Sequence, residues 1–99
     1  MSPILRVAAA QIAFDDDVEK NTRTILQTIA QCAARGVDLC VFPEAALTGY
    51  SPILRRASPA SDWPRVREAL AAVSSAASER RIGVVVGNEA WTDSGWVNR

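Results

Sequence analysis

Three short apolar runs, separated by two stretches with helical periodicity, constrain this chain most. The runs are Leu5–Gln11, Val37–Phe42 and Ile82–Val86. The first reads as a buried strand, bounded by Pro3 and the Asp15-Asp16-Asp17 cluster, although its three alanines also suit a helix. The second is stopped by Pro43, which lacks a backbone donor, and the third is β-branched and closed by Gly87. Between the first two runs, Val18, Thr22, Ile25, Leu26, Ile29 and Ala33 share one helical face. Asp16 and Glu19 resemble a capping box at its start, and Gly36 stands where a helix-ending glycine belongs.

Residues 45–59, with Gly49, Pro52, Ser58 and Pro59, read as a loop. A second helix is expected from Ser61 or Asp62, with Pro64 in its first turn. Val66, Leu70, Val73 and Ala77 would face inward, and Arg65, Arg67, Glu68 and Glu79 would face water. Thr92–Gly95 is a turn between Trp91 and Trp96, so a hairpin is expected near the end of the sequence. Strand, helix, strand, helix, strand is the order of an α/β fold with parallel strands and right-handed crossovers. The unbroken apolar strands predict a sheet covered on both faces.

Composition removes several function classes. The 99 residues suffice for one small domain, and 48% hydrophobic with 22% charged content is that of a globular chain. Net charge is zero, and the pairs Arg55-Arg56 and Arg80-Arg81 are too short for a nucleic-acid footprint. No stretch is long and apolar enough to predict a membrane span, and a cytoplasmic protein is expected. Cys32 and Cys40 do not form a disulfide framework and read as free thiols in a reducing compartment. With no histidine, catalysis by Ser-His-Asp or Cys-His is ruled out for this chain, as are imidazole-built zinc sites. No phosphate loop or dinucleotide fingerprint occurs, and no cofactor or metal is expected.

In an open parallel sheet, ligands bind beyond the carboxyl ends of the strands. The second strand ends at Phe42, so Pro43-Glu44 falls at that rim. A carboxylate following an apolar strand is expected to be partly desolvated, which would raise its pKa and suit it to act as a general base. Local capping or ion pairing is the competing structural role.

The stretch from Arg6 to Tyr50 resembles the N-terminal part of the nitrilase, or carbon–nitrogen hydrolase, superfamily. The matching residues are Ala10-Gln11, Asn21, Gly36-Val37-Asp38-Leu39, Phe42-Pro43-Glu44 and Leu47-Thr48-Gly49-Tyr50. Val85-Val86-Gly87 and Gly95-Trp96-Val97-Asn98 extend the resemblance over nearly the whole chain. It implies the N-terminal part of an α-β-β-α sandwich, with residues 1–99 forming the first segment of a single domain that is apparently truncated. It also implies hydrolysis of non-peptide C–N bonds by a glutamate, a lysine and a cysteine. The glutamate is the general base, the cysteine attacks the amide or nitrile carbon, and the lysine helps to hold the oxyanion. Only the glutamate maps here, onto Glu44. Tyr50 either lines a substrate pocket or packs under the loop. The sole lysine, Lys20, opens the first helix and reads as solvated. Cys32 and Cys40 read as core residues, and strand alternation places Cys40 and Phe42 on one face with Leu39 and Val41 on the other.

The expected substrate is thus a small amide, carbamoyl compound or nitrile, and homo-oligomers are expected. The 99 residues alone are expected to be inactive. The alternative is a non-catalytic, truncated α/β module that binds a small molecule or pairs with a partner chain. A three-stranded sheet with open edges further predicts a marginal or self-associating chain.

Overall fold

A computed structural model describes residues 4–13, 17–44, 46–48, 59–93 and 95–98. Strand β1 (Val7–Ala9) leads into helix α1 (Val18–Ala34), then β2 (Leu39–Val41), helix α2 (Pro59–Arg80) and β3 (Gly83–Val85). A hairpin of β4 (Glu89–Thr92) and β5 (Gly95–Asn98) follows. The first three strands pair in parallel in the order β1-β2-β3, with Ala8, Cys40 and Val84 in one register row. The expected strand–helix–strand–helix–strand pattern is therefore the observed one. The hairpin also forms, with Trp91 opposite Trp96 and Thr92 opposite Gly95.

Helix α1 starts one residue later than the capping-box reading implies. Asp17 is the N-cap, and its Oδ1 accepts from the Lys20 backbone N–H at 3.2 Å. That carboxylate also sits at the positive end of the helix dipole. The helix ends as its sequence predicts. Gly36 takes φ +73°, with Gly36 N–H donating to Ala33 O at 3.1 Å and Val37 N–H to Cys32 O at 3.0 Å. This pair of reversed bonds is the Schellman arrangement, which satisfies carbonyls the helix leaves open. The hydroxyls of Thr22, Thr24 and Thr28 donate to the carbonyls four residues back, at 2.6, 3.2 and 2.8 Å. These threonines are thus satisfied inside the helix.

Helix α2 begins at Pro59, two or three residues before the expected start at Ser61 or Asp62. A proline's fixed φ suits the first helical position. As a result, Pro64 lies inside the helix rather than in its first turn. Its buried stripe is Val66, Ala69 and Val73, with Leu70 only half-buried. Arg65, Arg67, Glu68 and Glu79 are exposed, as expected.

Both crossovers pass over the same face of the sheet, so α1 and α2 lie side by side and pack against each other. The core between helices and sheet is built from Ile25, Ile29, Cys40, Phe42, Leu47, Val66 and Ile82. Among the described residues the opposite face is uncovered. Val7 and Val85 are 55% and 51% exposed there. Two right-handed crossovers in the same direction place both helices on one side, and a cover for the other side has to come from elsewhere. Leu39 crosses this open face, and a Cβ at Gly83 would stand 3.0 Å from its Cδ1, so the glycine makes room for the leucine. Among the described residues no helix is long and apolar enough to cross a membrane.

Candidate functional site

The carboxyl rim of the sheet is assembled by backbone bonds that run one residue past each strand. Ala10 N–H donates to Val41 O at 2.8 Å, and Phe42 N–H donates to Val85 O at 2.9 Å. Pro43 then ends the pairing, and Ala46 N–H returns to Pro43 O at 3.2 Å, closing a turn around Glu44. Ala46, Leu47 and Thr48 are wholly buried beneath this turn, while Glu44 stands exposed at its corner. The position beyond the central strand is the one expected for Glu44, and among the described residues its side chain is exposed there. The turn turns its following residues, not Glu44, into the core.

What holds the turn comes from helix α1. The Asn21 side chain is 1% exposed, and its Nδ2 donates to Leu47 O at 3.1 Å. A buried amide in this place ties the N-terminal turn of α1 to the loop after β2. Thr48 and Asn88 are the other buried polar residues named in the core, at 0% and 6% exposure. Asn88 lies just past β3, so two neighbouring parallel strands each carry a polar residue beyond their carboxyl ends. Neither asparagine was singled out by periodicity. Asn21 was marked by the family resemblance, and its place three residues after Val18 and four before Ile25 also puts it on the apolar stripe.

The other candidates fall elsewhere. Tyr50 lies outside the described residues. Lys20 is exposed on the first turn of α1. Cys40 is fully enclosed, Cys32 is half-buried, and both are free thiols. Burial, then the hydrogen bond to Cys32, then the charge a Cys32 thiolate would carry, push the Cys40 thiol up to about 12. A thiol so reluctant to ionise is a poor nucleophile, which agrees with its reading as a core residue. A groove of about 420 Å³ runs between Val18, Glu19, Thr22 and Arg23 of α1 and Arg65, Glu68, Ala69 and Ala72 of α2. Its lining does not include Glu44. Among the described residues no three His, Cys, Asp or Glu side chains gather as metal ligands would.

These features were compared with known proteins. The solved structure of an amidase from Nesterenkonia sp. superimposes with a TM-score of 0.69 at 24% sequence identity. The match covers 87% of this chain and 32% of the amidase, so the chain spans about a third of that protein's length. At this identity the match establishes the α/β fold. No curated protein matches the sequence. The sequence pattern of the family described as Carbon-nitrogen hydrolase matches residues 6–98, and the chain belongs to that family.

Proposed function

We propose that this chain contributes the catalytic glutamate, Glu44, of a hydrolase acting on small amide, carbamoyl or nitrile compounds. The observation that carries the reading is the place of Glu44. It occupies the turn directly beyond the carboxyl end of the central strand, in a chain matched to the carbon–nitrogen hydrolases over residues 6–98. In the proposed reaction the Glu44 carboxylate takes the proton of a cysteine thiol, because the thiolate is the attacking species. The sulfur adds to the substrate carbon, and a lysine ammonium stabilises the charge on the oxygen or nitrogen. Glu44 returns the proton to the departing amine or ammonia, leaving a thioester (with a nitrile, the first adduct is a thioimidate that takes up one water before ammonia leaves), and water activated by the same carboxylate releases the acid. The resemblance gives no such role to Lys20, Cys32 or Cys40, so the thiol and the ammonium belong to residues outside these 99. The free thiols favour a reducing, cytoplasmic setting. No cofactor enters this chemistry. Tyr50 is proposed to border the substrate, and the assembly to be a homo-oligomer.

The exposure of Glu44 and the absence of an ionisable thiol beside it among the described residues favour a second reading, a non-catalytic module that binds a small molecule or a partner chain. The two are separated by reading the coding sequence after Arg99 and expressing the continuous product. Ammonia release from a panel of small amides and nitriles is then measured for that product and for its Glu44→Gln variant. Loss of about 10²–10⁴-fold in kcat is expected for the variant, the range for removing a general base. Undiminished turnover by the variant would remove Glu44 from the mechanism. A stop codon after Arg99, with no turnover by the chain, would favour the module.

A further inference from the structure

We propose that Cys32 and Cys40 form an oxidisable dithiol pair, a modification site at which a hydroperoxide closes an intramolecular disulfide tying α1 to β2. The two sulfurs are 3.6 Å apart, in hydrogen-bond contact. They are brought together by the chain reversal at the end of α1. The Schellman turn at Arg35-Gly36 and the Val37 N–H bond to Cys32 O fold the chain back, so that a residue of the last helical turns meets the middle of the next strand. A disulfide bond is about 2.05 Å long, so the sulfurs, already in contact, must close by about 1.5 Å. These 99 residues hold two cysteines, so this is the one disulfide they can form among themselves.

Burial sets the order of events. Cys32 is half-buried and open to a small oxidant, whereas Cys40 is 0% exposed. The Cys32 sulfur, as thiolate, attacks one oxygen of hydrogen peroxide. The O–O bond breaks, the departing hydroxide takes up a proton, and Cys32 becomes a sulfenic acid with release of one water. Cys40 is too enclosed to meet the oxidant itself, but held 3.6 Å from Cys32 Sγ its sulfur attacks that atom as its proton passes to the departing oxygen, and the S–O bond breaks. The hydroxide leaves with the Cys40 proton as a second water. Two thiols lose two electrons and two protons, and one peroxide is reduced to two waters. A dithiol reductant reverses the change by exchange. The strand held in this way is the one that carries Glu44 four residues beyond Cys40, but the inference does not depend on the role of Glu44.

The test treats the whole 99-residue chain with hydrogen peroxide and reads its intact mass and its tryptic peptides without reduction. A loss of about 2 Da is expected, with a linked pair joining the peptide from residues 24–35 to that from residues 36–55, both restored by dithiothreitol. The linked protein should keep its native circular dichroism and unfold in urea at a higher midpoint than the reduced protein. Under the same treatment Cys40→Ser is expected to gain about 32 Da at Cys32, the sulfinic acid formed when no second thiol resolves it. Cys32→Ser is expected to keep its mass. Oxygen addition at Cys32 of the wild-type chain without the 2 Da loss would overturn the proposal. So would disulfide-linked dimers in place of the internal link, an unchanged mass, or a link formed only with loss of native dichroism. The wild-type measurement stands even if a serine variant fails to fold.

Discussion

Cys40 and Asn21 show how single residues at this site depend on their surroundings. The Cys40 thiol ionises at about 12 in the folded chain against 9.0 ordinarily, chiefly because burial disfavours the thiolate. Between those values the folded state holds a proton that the unfolded state has released. Stability from this source is therefore full below about pH 9 and falls as pH rises toward 12. Urea unfolding at pH 8 and pH 10.5 should show the fall. Cys40→Ala should flatten it at a lower overall stability, and an equal fall in the variant would assign the effect to other groups. Glu44 was legible in the sequence because a proline and a carboxylate directly follow an apolar strand, and parallel topology fixes where such residues go. Its exposure was not legible, because burial at a rim depends on what stands opposite. Nor was the burial of Asn21. A polar side chain on an apolar stripe is explained by its acceptor, and that acceptor, Leu47 O, is 26 residues away.

The elements themselves were largely readable, and their ends show where the reading stops. Apolar periodicity located α1 and α2, because burying one stripe against the sheet requires it. The cap of α1 moved from Asp16 to Asp17, and α2 gained a proline-led start. Neighbouring aspartates and prolines differ little in local preference, so backbone geometry chooses among them. The two helices end with the same hydrogen-bond pattern, but with different residues at the left-handed position. In α2 it is Arg81, at φ 54°, with Arg81 N–H donating to Ser78 O at 3.2 Å and Ile82 N–H to Ala77 O at 3.1 Å. A side chain at that φ costs about 1 kcal/mol relative to glycine, partly offset by glycine's greater freedom when unfolded. Arg81→Gly should therefore raise stability by about 0.5–1 kcal/mol, seen as a higher urea midpoint with unchanged slope. A lower midpoint would mean that the arginine side chain contributes more than the strain it carries.

At the scale of the molecule, the described residues form a three-stranded parallel sheet with one helical layer and a terminal hairpin, and among them the other face of the parallel sheet is open. Val7 and Val85 lie on that face, on the two outer strands. An exposed apolar sheet face with unpaired edges promotes association. The isolated chain is expected to elute above its monomer mass of 10.7 kDa, and Val7→Lys with Val85→Lys should weaken association about tenfold or more by light scattering. A wild-type chain that stays monomeric at high concentration would show that the face tolerates water. That the face is open could not be read from the strands, whose apolar residues suit cover from either side. The order β1-β2-β3 has a consequence for assembly as well. Spatial order here equals the order of synthesis, so each strand leaving the ribosome finds its neighbour already in place. The Asn21 bond to Leu47 O can close once the first strand–helix–strand unit and its following turn have emerged. Until then the nascent chain lacks the contact that fixes the Glu44 turn, and afterwards the edge of the newest strand is where the next strand adds.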